Sequence, residues 1–166
     1  MSDDATADTG GPHVERGRIR GALRGALGGI VGTVAMTLYR APVARSLPPT
    51  AEFWAQYVGE GEPEDYPGPA LALHLLYGAA GGVVFGALFD RLDADRSLIR
   101  EALGAVCGAW YGLSLSAFGQ PVILRGLLGQ RLDASESFLF HAGHVVYGLV
   151  LGHWAASRQS DSGGGS

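Results

Sequence analysis

Four apolar blocks, over about residues 21–39, 69–89, 98–118 and 137–156, alternate with connectors that hold most of the charge. About 20 consecutive apolar residues are enough to cross a bilayer core, so each block predicts a transmembrane helix. The first ends Leu38-Tyr39-Arg40 with no small-residue cleavage site, so it reads as a retained span and not as a signal peptide. Its one internal charge, Arg24, lies a turn inside the end, where the long stem can carry the guanidinium to the headgroups. Pro69 suits the first turn of the second helix, where a missing N–H costs nothing. Ser97 is expected to cap the third, and Gln120-Pro121 to end it. Asp133 with Glu136 three residues later has the spacing of a capping box at the start of the fourth.

The connectors differ in kind. Five prolines between Arg40 and Gly68 forbid a long helix there. A short one capped by Thr50 would put Phe53, Trp54, Tyr57 and Val58 on one face, as in a segment lying in the membrane interface; a loop with its aromatics at headgroup depth is the alternative. Glu60, Glu62, Glu64 and Asp65 read as a solvated turn, and residues 90–96 as a tight charged turn. Val122 to Leu132 alternates as a second interfacial segment, with Arg125, Gln130 and Arg131 on its polar side. Residues 1–18 form an acidic tail expected to be disordered, 19–157 the membrane domain, and 158–166 a mobile tail.

The blocks repeat. His74-Leu-Leu-Tyr-Gly-Ala-Ala-Gly-Gly82 returns as His144-Val-Val-Tyr-Gly-Leu-Val-Leu-Gly152, a shared His-x-x-Tyr-Gly-x-x-x-Gly. Arg24 to Gly32 matches Arg100 to Gly108 at Arg, Ala, Leu and two glycines, and Pro42-Val43 is echoed by Pro121-Val122. The fold class expected is therefore all-α: a four-helix transmembrane bundle made of two tandem two-helix repeats. An even number of helices per repeat makes the halves parallel, related by rotation about the membrane normal. His74 and His144 would then lie at similar depth, and would face one another across the axis if their helices form the inner pair.

Composition sharpens this picture. The chain has 27 glycines without a collagen period, and in the blocks they recur every fourth residue. Such stripes let helix backbones approach closely in lipid, which offers no hydrophobic drive between helices. Gly28 and Gly32, Gly78, Gly82 and Gly86, Gly104, Gly108 and Gly112, and Gly148 and Gly152 are the expected packing positions, within one bundle, between copies, or both. All twelve basic residues are Arg, and with the acidic tails and loops this looks like proteins of salt-loving archaea. A net charge of −4 argues against nucleic acid as a partner. Placing both termini in the cytoplasm puts Arg16, Arg18, Arg20, Arg24, Arg91, Arg96, Arg100 and Arg158 there, against Arg40, Arg45, Arg125 and Arg131 outside, which is the favoured asymmetry.

Little else points to chemistry. Cys107 is the only cysteine, which excludes a disulfide framework and a cysteine metal site. Ser114, Ser116, Thr33 and Thr37 sit in apolar helices without an Asp–His partner and are expected to bond their own backbone. There is no phosphate-binding Gly-rich loop and no His-Glu-x-x-His. The polar candidates are His74, His141, His144, Tyr77 and Tyr147. Their plain role is hydrogen bonding between helices; the sharper one is a ligand site, with His74 and His144 as axial ligands of a haem b, or with His141 around zinc or copper. A proton or quinone path is a further option. His153, beside Trp154, reads as an interfacial anchor.

The His-x-x-Tyr-Gly-x-x-x-Gly helices resemble those of small, uncharacterised four-span membrane proteins of haloarchaea and some bacteria, over roughly residues 20–157. The resemblance implies an integral membrane protein and brings no activity, ligand or catalytic residue with it. The function expected is accordingly non-enzymatic and cofactor-free: a Gly-packed membrane bundle that self-associates or joins a larger membrane complex. A haem- or metal-binding redox or transport protein built on His74 and His144 is the alternative.

Overall fold

The computed structural model describes residues 12–43, 47–91 and 97–157, and the side chains of all of these except 12–18, 97 and 98. All regular structure among them is helical. Five α-helices run Pro12–Arg40 (α1), Pro49–Tyr57 (α2), Pro67–Phe89 (α3), Ser97–Gly119 (α4) and Ala134–Ser157 (α5), with a 3-10 turn at Pro63–Asp65 and a π-helical segment at Gln120–Leu127. Three stretches, Ile19–Arg40, Pro67–Phe89 and Ile99–Leu127, are long and apolar enough to cross a membrane. At 24 residues α5 is as long, but His141, His144 and His153 make it less apolar.

Local chemistry explains most of the boundaries. Helix α1 begins at Pro12, inside the stretch expected to be a disordered tail. Pro67 and Pro69 occupy the first turn of α3. Asp133 and Glu136 form the reciprocal capping box: the Glu136 amide donates to Asp133 Oδ1 (2.8 Å), and the Asp133 amide donates to Glu136 Oε2 (3.0 Å). The acidic tract is a capped turn, in which the Glu62 amide donates to Asp65 Oδ2 and the amides of Glu60 and Gly61 both donate to the Tyr66 hydroxyl. Gly129, at φ 69°, turns the chain from the π segment towards α5, in a conformation that disfavours any side chain.

Two expectations need correcting. Pro121 does not end the third span. The helix continues through it by widening to π geometry, as in the Leu128 amide donating to the Ile123 carbonyl, and a wider turn relieves the clash a proline ring makes with an α-helical carbonyl. Thr50 does not cap α2, whose N-cap is Pro48; its hydroxyl instead donates to the Ala70 carbonyl at 2.7 Å, tying α2 to the first turn of α3. Ser97 is the first residue of α4, but the side chain that would make the expected cap, and the charged turn at Asp93, Asp95 and Arg96, lie outside what is described.

Glycine decides which helices meet. A Cβ on Gly25 or Gly29 of α1 would run into the carbonyls of Gly82 and Gly78 on α3. Between α4 and α5 the same happens for Gly108 against the Gly148 carbonyl, Gly152 against that of Gly104, and Gly112 against that of His144. The neighbouring stripe of α1 turns to α5 instead: a Cβ on Gly28 would stand 2.8 Å from the Trp154 ring, and one on Gly32 2.9 Å from that of Tyr147. Helix α1 therefore packs on both α3 and α5, whereas α3 and α4 hardly touch. Buried apolar side chains are few, with Met36, Phe85, Phe89, Tyr147 and Leu151 at the centre. Large ones face outward instead, including Leu76 (65% exposed), Trp110 (67%) and Phe138 (68%).

Candidate functional site

The gap left where α3 and α4 fail to meet holds a cavity of about 280 Å³. Its walls come from the C-terminal half of α1 (Thr33, Met36, Arg40), the start of α3 (Leu73, His74, Tyr77), the end of α4 with the π segment (Leu115, Ile123, Leu124), and α5 (Phe140, His144, Tyr147). Helix α2 crosses the mouth. Phe53 lines the cavity, Thr50 holds α2 to α3, and the Tyr57 hydroxyl donates to the Leu127 carbonyl at 2.9 Å, closing α2 against the π segment. Beyond it lies a wider, more polar depression of about 1070 Å³, lined by residues that include Glu52, Glu64, Arg131 and Glu136. Arg40 lines both spaces.

The predicted polar residues are partly brought together. His74 and His144, from different halves of the chain, line the same cavity, as do Tyr77 and Tyr147. Tyr147 is committed elsewhere: 3% exposed, its hydroxyl donates to the Gly78 carbonyl at 2.8 Å and joins α5 to α3. Its counterpart in the repeat, Tyr77, is 49% exposed. His141 faces α4, with Nδ1 2.8 Å from the Ser116 hydroxyl. Because Ser116 already donates to the Leu113 carbonyl, it can only accept from His141, so the proton is on Nδ1. The same logic fixes His144: Nδ1 is 2.8 Å from the Phe140 carbonyl, which can only accept, so in the neutral ring Nε2 keeps its lone pair.

Other polar groups are satisfied locally. Thr33, Thr37, Ser114 and Ser116 donate to the carbonyls of Gly29, Thr33, Trp110 and Leu113, as expected of hydroxyls in apolar helices. Among the described residues, no three of His, Cys, Asp and Glu come together so as to hold a metal ion. His153 lies exposed near the other end of α5. At that end Arg100 pairs with Asp90 at 3.9 Å and lies over the Phe89 ring.

Two residues of consequence had no sequence signal of their own. Tyr111 of α4 donates to the Gly81 carbonyl of α3 at 2.8 Å, a direct tie between the two helices that border the gap. In the sequence Arg40 stands out only as the end of the first span and as one of the arginines that set orientation. In the fold its stem crosses Gly143 of α5, where a Cβ would stand 3.2 Å from Arg40 Cδ, and its Nε is buried without a hydrogen-bond partner. We found no match to this chain among models of protein families, curated proteins or solved structures.

Proposed function

We propose that this chain is a non-enzymatic integral membrane protein, a four-helix bundle in which α1, α3, α4 and α5 cross the bilayer and both termini face the cytoplasm. One observation carries the reading: glycine lines the contacts between helices while large apolar side chains face outward. A protein folded by water does the reverse, and lipid as solvent favours this arrangement. The histidines of α5 do not prevent it from crossing, because His141 and His144 each satisfy Nδ1 inside the chain and His153 lies near a helix end.

The two glycine seams, α1 against α3 and α4 against α5, support a duplicated hairpin as the origin of the fold. The halves are then not equivalent, since α1 and α5 meet closely where α3 and α4 part. The glycine stripes hold one chain together, so association with further copies or with a larger membrane complex would use the outward apolar faces. Washing membranes with alkaline carbonate or urea should leave the chain in the pellet until detergent is added. Release by washing alone overturns the proposal.

A second reading draws on His74 and His144 lining one cavity from separate helices: an axial pair for haem iron. A Soret band in protein purified from haem-replete cells, lost on His74→Ala, would establish it. A colourless preparation would retire it.

A further inference from the structure

We propose that the cavity between α3 and α4 binds a single-chain amphiphile with an acidic head, its tail among Leu73, Leu115 and Leu124 and its head at Arg40. The inference rests on the membrane reading above, with α1 ending at the outer face. Its basis is the order of environments along one line. The inner cavity is walled mainly by apolar side chains, the outer depression is polar, and Arg40 stands where they join.

The cation there has no direct partner among the described residues, the nearest acidic groups being those that line the depression beyond it, Glu52, Glu64 and Glu136 among them. Among the described residues no carboxylate lies within 4 Å of Arg40, its Nε is buried without a partner, and no Asp or Glu lines the inner cavity. A guanidinium held partly out of water without an anion is costly, and a carboxylate or phosphate oxygen supplies what is missing through a charge-assisted, geometrically matched hydrogen bond. The position is also built: Gly143 leaves room for the Arg40 stem, on which an added Cβ would press at 3.2 Å. The inner volume of about 280 Å³ is near the lower end of small-molecule pockets, suited to an alkyl segment. Apart from Tyr111, which bonds Gly81 and packs on the Phe85 ring, α4 hardly touches α3, which leaves a chain dissolved in the surrounding lipid a lateral way in.

The test uses the full chain in nanodiscs of zwitterionic phosphatidylcholine, with a fatty acid carrying a mid-chain diazirine and, in parallel, the matched alcohol. After photolysis, peptide mass spectrometry should find the acid's label concentrated on Leu73, Leu115 and Leu124, and the alcohol's at least tenfold less there. Arg40→Gln should lower cavity labelling roughly tenfold or more, the worth of one charged hydrogen bond, while Arg40→Lys retains most of it. Leu124→Trp, which fills the cavity, should remove the label even where Arg40→Gln unfolds the chain. The same diazirine on phosphatidic acid distinguishes a bilayer phospholipid from a free acid as the natural source. Equal labelling by acid and alcohol, or label spread over outward residues such as Leu76 and Trp110, overturns the inference. Because insertion into the nanodisc is scored separately, such a failure leaves the membrane reading standing.

Discussion

Replacing Gly148 by alanine probes the seam between α4 and α5 most sharply. The added methyl would run into the Gly108 carbonyl and stand 3.1 Å from the Gly112 nitrogen. Both are backbone atoms, which cannot swing aside as the tip of a side chain can, so the helices must part. Overpacking costs about 1–3 kcal/mol, and backbone-on-backbone contact puts this site in the upper half of that range. Alanine's better helix propensity returns about 1 kcal/mol, leaving a net loss of roughly 1–2 kcal/mol. Gly119→Ala is the control. Its backbone is helical at φ −62°, ψ −39°, and the new methyl would meet only the Phe140 ring at an ordinary 3.7 Å, so reduced freedom of the unfolded chain should stabilise it by about 0.4–1 kcal/mol. Unfolding of the two variants in mild detergent, titrated with sodium dodecyl sulfate and followed by circular dichroism, should therefore move in opposite directions. Shifts of the same sign and size would refute the claim that this seam depends on bare backbone contact.

The two tyrosines of the repeat should behave unequally. Tyr147→Phe removes the bond to the Gly78 carbonyl and should cost about 0.5–1.5 kcal/mol in the same titration, whereas Tyr77→Phe, at a half-exposed position, should stay within about 0.5 kcal/mol of wild type. The Glu136 amide and the Ser135 hydroxyl hold the Asp133 carboxyl below the usual carboxylate range. A folded-state pKa that is depressed gives stability present above the unfolded value and lost as pH falls through the folded one. Asp133→Ala should therefore unfold more readily than wild type at pH 7, and the difference should shrink in acid; a difference independent of pH would argue against the carboxylate cap.

Much of this architecture was legible in the residues alone. Apolar length is a property of composition, so the four long helices could be read directly, and the Asp133–Glu136 cap is a local pattern that needs no tertiary knowledge. What escaped depends on distant partners. Glycines recur on two adjacent faces of α1, and only the fold shows that Gly25 and Gly29 meet α3 while Gly28 and Gly32 meet α5. Pro121 carried a stop signal, but local rules do not anticipate a helix that passes a proline by widening. The shared sequence pattern singled out His74 and His144, which both line the cavity. The loading of the cavity rim by Arg40 could not be read from any pattern, since its burial is set by Gly143 on a helix far along the chain.

The claim beneath all of this is that lipid surrounds four crossing helices. In a Cys107→Ser background, single substitutions Ala5→Cys, Glu60→Cys, Gln130→Cys and Ser160→Cys can be probed with a membrane-impermeant maleimide on intact cells. Labelling of the cysteines at 60 and 130 from outside, with those at 5 and 160 reached only after permeabilisation, is the result predicted. Labelling of 5 and 160 on opposite sides of the membrane, or a fully labelled chain in the soluble fraction, would contradict it.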